Sequence, residues 1–217
     1  MKFIRNICEL QSIGDGAFYD CRTLASVSIP DSVTTIDGNA FYNCYSLASV
    51  SIPDGVTTIG NTAFNNCCSL ASVSIPDGVT SIGSSVFNNC YSLVSVSIPD
   101  SVTTIGGYAF GNCYALASVS IPDSVTTIGA GAFNSCRGLA GVSIPDSVTT
   151  IGGGAFGSCR GLGEIHFLPT TPPTVANSSA FSDLPTDCKI YVPAGHLADY
   201  TGATNYPSSS TYTYVEE

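Results

Sequence analysis

Apolar and polar positions alternate along this chain in short bursts that return every 23 residues. In one unit Leu24, Val27 and Ile29 carry leucine-rich spacing, and Ser26 and Ser28 alternate with them. That pattern predicts a short strand with apolar side chains inward and serines outward. Pro30 has no N–H to give a ladder and ends the strand, while Asp31 and Ser32 supply turn chemistry. Val33 and Ile36, with Thr34 and Thr35 between them, predict a second short extended segment; Ala40, Phe41 and Cys44 then plug the coil from a short helical or 3₁₀ turn. The tetrapeptide Ser-Ile-Pro-Asp begins at Ser28, Ser51, Ser74, Ser97, Ser120 and Ser143. A fixed period of this size predicts a leucine-rich repeat solenoid, mainly β, in which each coil relies on its neighbours to bury its apolar side.

The period organises the whole chain as one leucine-rich repeat domain over 1–217. Residues 1–22 read as a degenerate N-terminal coil, with Leu10, Ile13, Ala17, Phe18 and Cys21 standing 23 residues before Val33, Ile36, Ala40, Phe41 and Cys44. The segment before it, Phe3 to Ile7, is placed to cap the core, since terminal repeats are atypical. Regular repeats fill 24–168, and Phe18, Phe41, Phe64, Phe87, Phe110, Phe133, Phe156 and Phe181 form their spine. After Leu162 the period slips, and Phe181 follows Phe156 by 25 residues. Residues 169–217 are expected to form a C-terminal cap: a proline-rich loop, a last strand from Lys189 to Val192, a short helix within Ala194 to Tyr200, and a loosely packed or frayed end from Ser208.

Charge narrows the possible partners. Charged residues make up 10% of the chain and the net charge is −10. No lysine or arginine lies between Arg22 and Arg137, whereas six aspartates do. Such a surface repels phosphate backbones and lacks a basic membrane-binding patch. No run of apolar residues is long enough for a spanning helix, and the start shows no uninterrupted apolar signal segment. Ten cysteines would suggest a disulfide framework, but seven of them, from Cys21 to Cys159, fall on one repeat position. Stacked side chains about 5 Å apart and pointing the same way do not meet disulfide geometry, so a row of buried free thiols is expected.

The units resemble the BspA-like leucine-rich repeat family, also called the Treponema pallidum type, whose unit reads approximately L-x-x-I-x-I-P-x-x-V-x-x-I-x-x-x-A-F-x-x-C. The resemblance runs from about Leu10 to Tyr200 and includes Pro172–Pro173, Ala180–Phe181 and Ile190 to Gly195 of the end segment. It implies a non-catalytic protein-interaction or adhesion module with a protein partner, located outside the cell or on its surface. The sequence alone shows no export signal.

Several side-chain sets contain residue types that carry chemistry in other proteins. Ser143, Glu164 and His166 offer hydrolase residue types on neighbouring outward strand positions, but nothing predicts a cleft around them. Cys67 and Cys68 are adjacent, not spaced for zinc. The aspartates at 31, 54, 77, 100, 123 and 146 present one carboxylate per coil, too few oxygens for calcium, and turn chemistry accounts for them. Threonine pairs such as Thr103–Thr104 resemble ice-binding arrays, a remote alternative, and are also ordinary exposed strand residues. No metal or cofactor is expected. The serine face lacks charge and aromatics and suits extended or glycan-like ligands better than compact anions. The position after the core cysteine reads Arg22, Tyr45, Cys68, Tyr91, Tyr114, Arg137 and Arg160. Tyrosine and arginine are enriched at binding hot spots, so Tyr45, Tyr91, Tyr114, Arg137 and Arg160 are the candidate partner-binding residues; the bland alternative is that the tyrosines shield the core edge. The competing function is a structural or self-associating scaffold that pairs through its solenoid ends.

Overall fold

The computed structural model describes residues 10–217, so the expected cap over 3–7 lies outside it. The chain is a parallel β-solenoid. One ladder holds the serine strands and their C-terminal continuation: β2 (Ser26–Ser28), β4 (Ser49–Ser51), β6 (Ser72–Ser74), β8 (Ser95–Ser97), β11 (Gly141–Ile144), β13 (Glu164–Phe167), β15 (Lys189–Val192) and β16 (Thr213–Glu216). It is broken into the sheets β2–β4, β6–β8 and β11–β13–β15–β16. The second holds β1 (Ser12–Ile13), β3 (Thr35–Ile36), β5 (Thr58–Ile59), β7 (Ser81–Ile82), β9 (Thr104–Ile105), β10 (Thr127–Ile128), β12 (Thr150–Ile151) and β14 (Thr174–Val175), in the sheets β1–β3–β5 and β7–β9–β10–β12–β14. Register follows the repeat, as in Thr127 opposite Thr150. The slip is absorbed stepwise, for Thr150 stands opposite Thr174 and Glu164 opposite Lys189.

The third side of each coil, expected as a short helical or 3₁₀ turn, carries single i+3 turns that do not continue into a helix. Asn39, Phe41 and Asn43 donate their N–H groups to carbonyls of the next coil, on Asn61, Ala63 and Asn65, at 3.1, 2.7 and 3.0 Å. Between them, Tyr42 and Cys44 bond back to Asn39 and Phe41 within the coil. Alternate N–H groups are thus turned out of the segment, and no helix can propagate. Turning them requires left-handed residues, and Asn43, Asn66, Asn89 and Asn112 have φ of 60°, 62°, 62° and 57°. Asparagine tolerates that region better than most residues. Among the described residues a 3₁₀ helix forms only at Ser178–Phe181.

These asparagines also bond to one another. The amide nitrogens of Asn66, Asn89 and Asn112 donate to the amide oxygens one coil earlier at 2.7, 2.8 and 3.0 Å, and Asn43 donates to Asp20 at 2.9 Å. On the second ladder the hydroxyls of Thr57, Thr103, Thr126 and Thr149 approach the preceding coil's carbonyl at 3.3–3.4 Å. One of the two expected threonine rows is therefore committed to tying coils together.

The core contains the residues expected. Phe41, Phe64, Phe87, Phe110, Phe133 and Phe156 are fully buried, with successive rings stacked 5.1–5.6 Å apart. Phe181 continues the stack at 5.9 Å despite the slip. Strand valines differ in depth: Val73 and Val142 are buried, whereas Val27, Val50, Val96 and Val119 are only partly buried. At the outermost described coil Leu10, Ala17 and Cys21 are exposed and Phe18 is half-buried. Cys44, Cys67, Cys90, Cys113, Cys136 and Cys159 are buried free thiols, as expected. Each lies 3.1–3.4 Å from the carbonyl oxygen of the phenylalanine 26 residues earlier and donates its S–H there. Coil packing is close enough to dictate glycine locally: a Cβ at Gly152 would lie 2.3 Å from the Ala130 nitrogen.

The C-terminal expectation needs correction. Residues 208–217 do not fray: β16 pairs in parallel with β15, and Val192 is therefore not the end of the sheet. The short helix, α1, spans Leu197–Thr201. Its N-terminal residue has no local side-chain cap, and Glu216 of β16 supplies one by accepting from the N–H groups of Gly195 and Leu197 at 2.9 and 3.3 Å. Tyrosines fasten the segment, with the hydroxyls of Tyr200, Tyr206 and Tyr214 donating to the carbonyls of Pro169, Pro173 and Pro207. Tyr200 and Tyr206 pack on Phe167, which closes the core with aromatic rings. The polar composition concealed this, because each tyrosine buries its ring and satisfies its hydroxyl on a backbone oxygen.

Two measurements check this architecture. Asn89→Ala should lose about 2–3 kcal/mol in equilibrium unfolding, because it combines the left-handed penalty with lost amide bonds. Asn89→Gly, which keeps the backbone conformation, should lose about 1 kcal/mol less. The thiols predict alkaline sensitivity. Burial raises Cys90, Cys113 and Cys136 well above the ordinary thiol range and Cys159 to about 12. Above the unfolded-chain value of ~8.5 the unfolded state sheds protons that the native state keeps, so stability present below it falls as pH rises, by roughly 1.4 kcal/mol per pH unit for each such thiol. Denaturation under reducing conditions at pH 7.5 and 9.5 should show the loss, and Cys113→Ala should lessen it.

Candidate functional site

The candidate residues lie on the edge that leads from the core cysteine into the serine strand. Each follows a buried cysteine and precedes a buried leucine by two positions, as Tyr114 lies between Cys113 and Leu116. Anchoring on both sides holds the residue between them outward, and coil stacking aligns one such residue per coil. The Tyr91 and Tyr114 rings stack with centroids 4.9 Å apart and planes 9° apart. The Arg137 guanidinium lies 4.7 Å from the Tyr114 centroid, continuing the stack by a cation–π contact. Arg22 lies over Tyr45 at 5.5 Å in the same manner. Cys68 separates the two groups and donates to the Asn66 carbonyl at 3.4 Å. Arg160 is exposed one coil beyond Arg137.

The chain is drawn tight at the cationic end. A Cβ at Gly161 would lie 2.3 Å from the Arg137 carbonyl oxygen, so only glycine admits this approach. Tyr91 and Tyr114 are 40% and 37% exposed, enough to offer ring edges and hydroxyls while their faces are used in the stack. Partial burial, together with Cys68 and Tyr114 alongside, raises the Tyr91 hydroxyl above its ordinary pKa.

One residue on this edge was not singled out from sequence. Val94 is 52% exposed at the position filled by Ala48, Ala71 and Ala117 in neighbouring coils. A larger apolar residue breaking an alanine column three positions after Tyr91 was the available signal. Tyr108, also exposed, belongs to a different corner, where its ring overlies Gly131.

The other sets are arranged as follows. Ser143 stands opposite His166 in the β11–β13 pair, as the repeat implied. His166 Nδ1 bonds Glu217 Oε1 at 2.7 Å and its ring stacks on Tyr191 at 4.3 Å, so the imidazole is engaged with the C-terminal strands. The six corner aspartates are all exposed. Among the described residues no three His, Cys, Asp or Glu side chains are grouped to hold a metal, and no helix is long and apolar enough to cross a membrane.

A family model, the BspA type leucine rich repeat region, matches residues 4–117 and 80–195 and accounts for six copies. The chain belongs to the BspA-type leucine-rich repeat family. Among solved structures, a T. pallidum leucine-rich repeat protein is 31% identical, with 84% of this chain and 78% of that one covered, at a TM-score of 0.63. A Bacteroides ovatus leucine-rich repeat protein is also 31% identical over 78% of this chain, at a TM-score of 0.64; the match spans 48% of that longer chain. A leucine-rich cell surface protein from Faecalibacterium prausnitzii is 25% identical, with 95% and 83% of the two chains covered and a TM-score of 0.51. No curated protein matches significantly.

Because the column lies outside the core, this BspA-type solenoid should tolerate its loss. Exposed cation–π contacts contribute only about 0.5–1 kcal/mol. Tyr114→Ala should therefore lower unfolding free energy by about 1 kcal/mol or less and leave the circular dichroism spectrum unchanged.

Proposed function

We propose that this solenoid is a non-catalytic protein-interaction module of the adhesion type, and that the Tyr45, Tyr91, Tyr114, Arg137 and Arg160 edge is its contact surface. The observation that carries the reading is the exposed Tyr91–Tyr114–Arg137 stack. Elsewhere the regular coils present mainly serine, threonine, glycine, alanine and aspartate, which are weak anchors. Stacking holds the tyrosines and the arginine in place before a partner arrives, which lowers the ordering cost of binding. Family membership and the likeness to a cell surface protein support an extracellular or surface location and a protein partner.

The test uses a displayed random-peptide library selected on the full chain. Peptides that bind should lose about thirtyfold in affinity, 2 kcal/mol, on Tyr114→Ala or Arg137→Ala, and change little on Ser97→Ala. If Ser97→Ala weakens the selected peptides and the other two variants do not, the serine face is the binding surface instead.

A further inference from the structure

The edge contains its own comparison for what its arginines hold. At Arg22, two residues after Asp20, the guanidinium is clamped from inside the chain. Nε donates to Asp20 Oδ1 at 3.2 Å and a terminal nitrogen donates to Oδ2 at 3.0 Å. Arg137 and Arg160 occupy the same repeat position, but the residues two before them are Ser135 and Ser158. The backbone is alike in all three coils, since Asp20, Ser135 and Ser158 have φ of 62°, 60° and 58°. The serines are used elsewhere: Ser135 Oγ bonds the Asn134 side chain at 3.1 Å and Ser158 Oγ bonds Asp183 at 3.0 Å. Among the described residues no carboxylate lies within ion-pair range of Arg137 or Arg160, Asp183 included.

Resting on the edge as contact surface, we propose that Arg137 and Arg160 bind carboxylates of an acidic, extended segment of a partner protein. Three physical points support that occupant. Arginine presents a fixed fork of donors that matches a carboxylate bidentately, and Arg22 shows this pairing at the same place in the fold. The Arg137 guanidinium carbon lies over the Tyr114 ring, 4.7 Å from its centroid, a contact that uses none of its in-plane N–H donors. Gly161 holds the next coil close, so the two arginine side chains leave the backbone about one coil rise, ~5 Å, apart. Side chains on one face of an extended peptide recur at ~6.8 Å, a mismatch that flexible arginine and glutamate stems absorb. The net charge of −10 disfavours an acidic ligand at a distance, and Glu164 and Asp146 are the nearest acidic groups in sequence to Arg160. Salt screens that field beyond ~8 Å at physiological strength, whereas the paired contact is short-range.

The experiment titrates the full chain with a fluorescent peptide of alternating glutamate and serine, capped at both ends, in 150 mM salt. A peptide of alternating glutamine and serine is the control. The acidic peptide should bind and the neutral one should not. Arg137→Gln with Arg160→Gln should weaken the acidic peptide at least tenfold. Ser135→Asp, which puts a carboxylate at the repeat position of Asp20, two residues before Arg137, should also weaken it with both arginines present. Circular dichroism on each variant confirms that it folds. No binding of the acidic peptide, equal binding of the neutral one, or full affinity in the arginine variants would overturn the acidic occupant. The library selection separates this from failure of the edge itself. Selected peptides that depend on Tyr114 but carry no excess of acidic residues overturn only the acidic inference, whereas peptides indifferent to the edge overturn both.

Discussion

Everything in this molecule depends on the distance between coils. Parallel backbone ladders hold neighbouring chains at about 4.8 Å, and that spacing is imposed on every side chain in register. A residue at one repeat position must therefore be able to stack on a copy of itself. Flat rings can, and the phenylalanine spine stacks with planes only 8–10° apart through the central coils. Small thiols can, each reaching a carbonyl of the coil before it. Asparagine amides can, since each offers a donor to one side and an acceptor to the other. Two like charges stack poorly, yet the corner aspartates tolerate it because they face water, where repulsion at ~5 Å is under about 1 kcal/mol.

The same constraint shapes the ends. A solenoid buries each coil only through its neighbours, so the outermost coils need other cover. At the C-terminal side the chain abandons the repeat and builds a plug from Phe167, Tyr200 and Tyr206, over which β16 adds one more parallel strand. The period slip is what makes room for it. The loop of Pro169 to Pro173 carries the carbonyls that receive Tyr200 and Tyr206. A polar, tyrosine-rich tail is thereby converted into an ordered lid, locked further by Glu216 across the start of α1.

Exceptions to the repeat are where one coil differs chemically from the next. Columns that repeat faithfully describe the scaffold: serine on the strand, threonine on the second ladder, glycine where backbones meet. The edge after the cysteines varies from coil to coil, and where it varies it changes from asparagine-cysteine-tyrosine to serine-cysteine-arginine. The asparagine ladder therefore stops where the unpaired arginines start. Structural bonding and surface chemistry are exchanged within three residues, without disturbing the backbone that both share.

Period and composition were enough to determine the solenoid, its family, the inward positions of Val33, Ile36, Phe41 and Cys44, the free state of the thiols and the alignment of Tyr91, Tyr114 and Arg137 in one column. All of these follow from a 23-residue register and a side-chain alternation that are local and repeated. Tertiary structure alone decided what each column does with its hydrogen bonds. The turn at Ala40–Phe41 resembled a helix because its spacing suits one; it is not a helix, because its N–H groups find carbonyls in the next coil. The tail from Ser208 resembled a frayed end because it is polar and breaks the repeat; it is a strand, because β15 offers an edge and proline carbonyls offer acceptors far away in sequence. Likewise, Arg22 and Arg137 occupy equivalent positions in the repeat. The sequence places Asp20 two residues before one and Ser135 before the other, but only the structure shows that Asp20 closes on Arg22 and that, among the described residues, no carboxylate pairs with Arg137.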